Sequence, residues 1–196
     1  MKILAFVDMH GSNKALEKIK DRAKDVDIIV CAGDLTIFEN EMEKLMMQLN
    51  KLKKPVLMIP GNHEDEQDLS QLCRVFDNIT DINEKSFVFG EHIFFGYGGG
   101  GFSMVDSHFD KLSKKFIKEI DKDKKVVLVT HAPPYKTKID KIIDEHCGNK
   151  GIKNFILKVK PVLAISGHLH ENAGKEDKVM GSKVINPGPF GKIISL

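Results

Sequence analysis

The chain alternates short apolar runs with segments of helical period, and most of the apolar runs end in a polar residue able to hold a metal. Residues 3–7 read as a buried strand, because an unbroken apolar run of this length suits a strand covered on both faces. Ala15, Leu16, Ile19 and Ala23 then share one helical face, with Ser12 or Asn13 as N-cap. Residues 26–31 form a second strand. Phe38, Met42, Leu45, Met46, Leu49 and Leu52 keep a helical period that Pro55 ends, and residues 56–59 form a third strand. Leu69, Leu72, Cys73 and Phe76 mark another helix. This β-α-β-α-β-α order predicts a parallel sheet with crossover helices.

The middle of the chain changes character. Residues 87–89 and 93–97 flank Gly90-Glu91-His92 and predict a hairpin. Phe109, Leu112, Phe116 and Ile120 mark a helix, and residues 126–129 a strand. Ile139, Ile142 and Ile143 suggest a short helix. Ile152, Phe155, Ile156 and Val159 suggest another, ended by Pro161 before a strand at 162–165. From Val179 onward, short strands surround Asn186-Pro187-Gly188-Pro189. Parallel and antiparallel strands with outer helices predict two sheets packed face to face. No repeat, linker or low-complexity tract divides the chain, so one domain is expected over residues 1–196.

The chain has 196 residues, 41% of them hydrophobic, enough to bury a core without staples. Its net charge of +2 does not argue for a nucleic-acid partner. Arg22 and Arg74 are the only arginines, so a bound phosphate would need some grip other than an arginine clamp. Cys31, Cys73 and Cys147 are far apart and form no C-x-x-C pair; Cys31 and Cys73 read as small buried hydrophobes. Unpaired thiols suit a reducing compartment, and the first apolar run is too short for a signal sequence or membrane span. A soluble cytoplasmic protein is expected.

The chemistry lies just past the apolar runs. Asp8-Met9-His10 follows the first strand, Gly33-Asp34 the second and Gly61-Asn62-His63 the third. His131 follows residues 126–129, and Gly167-His168-Leu169-His170 follows residues 162–165. Sites in open α/β sheets form at the carboxyl ends of strands, so these residues would converge. Asp oxygen and neutral His nitrogen suit zinc, manganese, iron or nickel. Alone, Asp34 could cap a helix and Asn62 could turn a chain, but five such elements in order point to a metal centre. Gly33, Gly61 and Gly167 each precede a candidate ligand where a tight turn must aim it. Glu64, Asp65 and Glu66 read as first-turn acids of the next helix.

Asp8-x-His10, Gly33-Asp34, Gly61-Asn62-His63-Glu64, His131 and Gly167-His168-x-His170 together resemble the motif set of the calcineurin-like metallophosphoesterases, in their minimal archaeal and bacterial form. The resemblance runs from Asp8 to His170 with no departure at these positions. It implies a four-layer α/β/β/α sandwich and two divalent metal ions, manganese first, with iron, nickel or zinc as alternatives. Asp8, His10 and His170 would hold one ion, Asn62, His131 and His168 the other, and Asp34 would bridge them. His63 would bind no metal and would face the substrate as the catalytic residue, giving the leaving alkoxide a proton or stabilising charge on a phosphoryl oxygen. The expected activity is hydrolysis of a small phosphate ester, a phosphodiester first. Relatives of this kind include DNA-repair nucleases and a non-catalytic retromer scaffold subunit, which supply the rival readings.

The chemistry accounts for the residue types. Cations about 3.5–4 Å apart need an anion between them, which Asp34 and a hydroxide can supply. Two divalent ions, two aspartates and one hydroxide leave about +1, which attracts a phosphate ester and its transition state more strongly still. The glycine run at 98–101 lacks the spacing of a P-loop and reads equally as a substrate-facing loop or a flexible connection. Pro133-Pro134 stiffens the loop after His131. His92, His108 and His146 fit no motif and read as surface or packing residues. Lys114-Lys115 and Lys124-Lys125 read as solvated faces.

Overall fold

The structure is a computed structural model that describes residues 1–99 and 101–196. Strands β1 (Lys2–Phe6), β2 (Ile28–Cys31), β3 (Val56–Met58) and β4 (Ile79–Asp81) are parallel neighbours in that order. Helices α1 (Asn13–Arg22), α2 (Met42–Asn50) and α3 (Glu66–Cys73) connect them. Ser12 caps α1 by accepting the Ala15 N–H, and Asp65 caps α3 by accepting those of Gln67 and Asp68. Strand β4 is absent from the sequence reading, since three residues ending in Thr80 and Asp81 carry too little apolar signal.

The second sheet begins with the expected hairpin, β5 (Ser86–Phe89) against β6 (His92–Tyr97). After α4 (Ser107–Glu119), β7 (Lys125–Thr130) lies parallel to β6. The short pair β8 (Lys141–Ile142) and β9 (Glu145–His146) forms a separate hairpin. Helix α5 (Lys150–Val159) leads to β10 (Leu163–Ile165), and β11 (Glu176–Val179) and β12 (Ser182–Ile185) complete the sheet in the order β11-β12-β10-β7-β6-β5. Strand β13 (Lys192–Ser195) returns to pair antiparallel with β1, so the chain's end closes its first sheet.

Side-chain alternation builds the layers. Along β1, Ile3 and Ala5 face the second sheet, where they pack among Phe94, Val127, Val129 and Ile165, while Leu4 and Phe6 face α1 and α2. On the far side, Phe95, Leu128 and Ala164 pack under Phe109 and Phe116 of α4 and Phe155 of α5. The result is the α/β/β/α sandwich, with both sheets covered on both faces. No described helix is long and apolar enough to cross a membrane.

Two sequence expectations are corrected. The isoleucines at 139, 142 and 143 form no helix: Ile139 is buried in the loop before β8, Ile142 lies in β8, and Ile143 is exposed at the hairpin tip at φ 55°. The buried Asp140 carboxylate instead gathers the N–H groups of Lys136, Thr137 and Gly148 together with His146, and so holds a loop. Phe38 does not share the α2 face. Phe38, Glu39 and Glu41 have positive φ, and the helix starts only at Met42.

Candidate metal centre

The loops after β1, β2, β3, β7 and β10 meet at one end of the paired sheets. Asp8 donates its N–H to Gly33 O at 3.1 Å and His10 to Asp34 O at 3.0 Å, which locks the first loop to the second. Asp8, His10, Asp34 and His168 all have positive φ, at 54°, 47°, 51° and 67°. Each such residue costs about 1 kcal/mol, and strain of this kind collects at functional sites. A Cβ on Gly61 would overlap the Asp34 carboxylate, and one on Gly33, at φ 98°, would lie 2.7 Å from His131 Nδ1. Both glycines therefore serve close approach of loops as well as turning.

Two groups of donor atoms result. In the first, His10 Nε2 and His170 Nε2 lie 3.0 Å apart, with Asp8 Oδ1 4.0 Å from His170 Nε2. In the second, Asn62 Oδ1 lies 3.1 Å from His131 Nε2 and 2.9 Å from His168 Nδ1. Asp34 Oδ2 stands between them, 3.8 Å from His10 Nε2 and 3.4 Å from His131 Nε2. Ligands held at about 2.1 Å around one ion sit about 3 Å from each other, so these spacings suit shared cations. Asp8, Asn62 and His168 are thus neighbours, and His168 N–H also reaches Asp8 Oδ1 at 3.2 Å. His63 lies in the same place, with a ring nitrogen within 4.8 Å of donor atoms of His10 and Asp34.

The surroundings favour cations. His10 Nδ1 faces Thr36 O and His131 Nδ1 faces Ala32 O, each at 3.0 Å, which leaves both Nε2 lone pairs aimed inward. Asp8 and Asp34 are buried, and among the described residues neither pairs with lysine or arginine. Burial pushes the Asp34 carboxyl up, but His131, the His63 N–H and His10 outweigh it and hold it at about 2. Burial raises the Asp8 carboxyl, and burial with repulsion from His131 lowers His168 to about 4, which keeps its ring neutral. His63 Nδ1 and His168 Nε2 are buried with no hydrogen-bond partner among the described residues. Buried carboxylates without lysine or arginine partners, a neutral His168 ring and orphaned nitrogens fit a metal pair.

Glu64 departs from the sequence reading. It is buried and lies outside α3, whose first-turn acids are Glu66 and Asp68. Its Oε2 accepts the N–H groups of Asp34 and Gly61 at 3.0 and 2.9 Å, and its Oε1 accepts the Thr36 N–H and hydroxyl. The available signal was Asp65, whose role as N-cap leaves Glu64 one residue outside the helix. Of the glycine run, Gly100 lies outside the described residues, and Gly98 donates its N–H to Asn83 Oδ1. His92 is buried in β6, His108 pairs with Glu84, and His146 pairs with Asp140, so none joins the centre.

The family model of the calcineurin-like phosphoesterases matches residues 1–172. The chain belongs to the calcineurin-like phosphoesterases. As a member of that dimetal-dependent family it is a hydrolase of phosphoric esters. A protein of Methanocaldococcus jannaschii is 31% identical over 96% of this chain and 88% of its own length. A probable glycerophosphodiester phosphodiesterase of Arcobacter nitrofigilis is 30% identical over 84% of this chain, which spans 64% of that protein. Among solved structures, a dimetal phosphatase of Danio rerio shares the fold at TM-score 0.69 and 11% identity, over 94% of this chain and 86% of that one. A phosphopantetheinyl hydrolase of Mycobacterium tuberculosis shares it at 0.68 and 15% identity, over 95% and 88%.

Proposed function

We propose that this calcineurin-like phosphoesterase is a phosphodiesterase for a small substrate, with manganese as its first-choice metal. Asp8, His10 and His170 would hold one ion, Asn62, His131 and His168 the other, and Asp34 would serve both. The observation that carries this reading is the position of Asp34 Oδ2 between His10 Nε2 and His131 Nε2, at 3.8 and 3.4 Å. When bound, two divalent ions lower the pKa of bound water towards 7 and neutralise charge on phosphoryl oxygens. The chain's own residues set the rest. Thr36 O and Ala32 O fix the imidazole orientations at His10 and His131. His63, beside Asp34 and His10, donates a proton to the departing alkoxide or holds charge on a phosphoryl oxygen. The net charge of +2 and the two arginines favour a small substrate over a polyanion.

The experiment is an assay of manganese-loaded protein on bis-p-nitrophenyl phosphate and p-nitrophenyl phosphate, with metal content measured in parallel. Faster turnover of the diester, abolished by chelation, is expected. Asp34→Asn should lower occupancy at both sites. No turnover of either ester at full occupancy would sink the activity, and two retained ions in Asp34→Asn would sink the bridging role.

A further inference from the structure

A line of rings crosses the candidate centre. Phe38 packs edge-on against His63, with ring centroids 4.6 Å apart. His63 meets His10 at 4.9 Å, and Asp34 links His10 to His131. His131 meets His168 at 5.3 Å, and Phe102 packs edge-on against His168 at 4.5 Å. The line begins and ends on a phenylalanine, and both are open to solvent, at 77% and 64%.

Both phenylalanines expose a large apolar surface in a chain that buries most others. Phe38 also holds φ 47°, a conformation a bulky side chain rarely adopts. Each touches only one end of the centre. A phosphodiester centred over Asp34 carries one organic group on each side of phosphorus, and in-line displacement sends its leaving group away from the attacking oxygen. His63 is the proposed proton donor to that leaving group, so Phe38 stands on the leaving side and Phe102 on the retained side.

We infer that Phe38 and Phe102 are substrate-binding walls that select phosphodiesters bearing a flat aromatic group, aryl or nucleobase, on each side of phosphorus. The inference rests on the diesterase reading. Ring faces stack on flat groups in offset or edge-on contact, and such contacts strengthen as water leaves them. Their exposure leaves ring surface free for a substrate while the edge contacts with His63 and His168 fix where it binds.

The test compares phenyl p-nitrophenyl phosphate with methyl p-nitrophenyl phosphate on manganese-loaded protein. Both share a leaving group and differ only on the retained side. The wild type should prefer the phenyl ester in kcat/KM, and Phe102→Ala should cut that preference about tenfold. A role confined to positioning His168 would lower both esters equally and overturn the inference. Calorimetric binding of diphenyl phosphate against dimethyl phosphate supplies a readout free of turnover. There the wild type should favour the diphenyl ester, and Phe38→Ala and Phe102→Ala should each reduce that ratio about tenfold. Equal binding of the two by the wild type overturns the aromatic walls. If neither nitrophenyl ester is hydrolysed, the diesterase reading fails, and the binding ratio still decides the walls.

Discussion

Glu64 Oε2 accepts the backbone N–H of Asp34 at 3.0 Å, and the same oxygen accepts the N–H of Gly61 at 2.9 Å. One buried carboxylate therefore ties the loop after β2 to the loop after β3, the two loops that supply Asp34 and Asn62. With Thr36 on its other oxygen, Glu64 satisfies four donors that the sandwich hides from water.

Glu64→Gln keeps the shape and removes this balance. Whichever way the amide turns, its NH₂ faces N–H donors. Leaving one or two such groups unpaired costs about 2–4 kcal/mol. Loss of a group that orients metal ligands typically costs about 10–100-fold in metal affinity. Urea unfolding and metal titration of the variant check both numbers. A variant as stable as the wild type, with unchanged affinity, would make Glu64 a bystander.

His63→Ala separates catalysis from metal holding. A positioned proton donor contributes about 10²–10⁴-fold. The variant should lose that much in kcat with an alkyl leaving group and less with p-nitrophenolate, which leaves readily without a proton. Elemental analysis should still find two ions. Because a His63 ring nitrogen lies within 4.8 Å of donor atoms of His10 and Asp34, loss of an ion would reassign His63 as a ligand.

The strands that carry the site were legible because β1, β2 and β3 lie under helices on one face and a second sheet on the other, which demands unbroken apolar runs. The polar residues that end those runs then stood out against them. Glu64 was hidden for a different reason. Three acids in a row fit a helix start so well that nothing local reveals the first as buried beneath a neighbouring loop. Phe38 falls on the apolar period of α2 by coincidence, and only the left-handed backbone at Phe38, Glu39 and Glu41 removes it. The isoleucines near 140 mislead likewise, because their spacing is helical while the Asp140 side chain takes the backbone donors.

Asp140 yields a prediction of its own. It is fully buried and accepts the N–H groups of Lys136 and Gly148 on one oxygen, and those of Thr137 and His146 on the other. Asp140→Asn sets an amide NH₂ against two of these donors, so a loss of about 2–4 kcal/mol is expected. The loop it holds starts just after His131, and faster hydrogen exchange should be confined first to residues 133–149. Uniform loss of protection across both sheets would instead make Asp140 part of the global core.

The three thiols should report burial directly. The thiolate is the reactive form, and a raised pKa suppresses it. Burial pushes the Cys73 thiol up to about 12 and the Cys31 thiol well above its ordinary value, while Cys147 is partly exposed. At pH 8 a thiol of pKa 12 is ionised in only about one molecule in ten thousand. Iodoacetamide should therefore modify Cys147 in the native protein, and Cys31 and Cys73 only after urea, as read by peptide mass spectrometry. Cys31 ends β2 three residues before Asp34, so its labelling also monitors opening of the strand that carries the bridging candidate. Native labelling of Cys31 as fast as Cys147 would mean that β2 is not packed between helices and a second sheet.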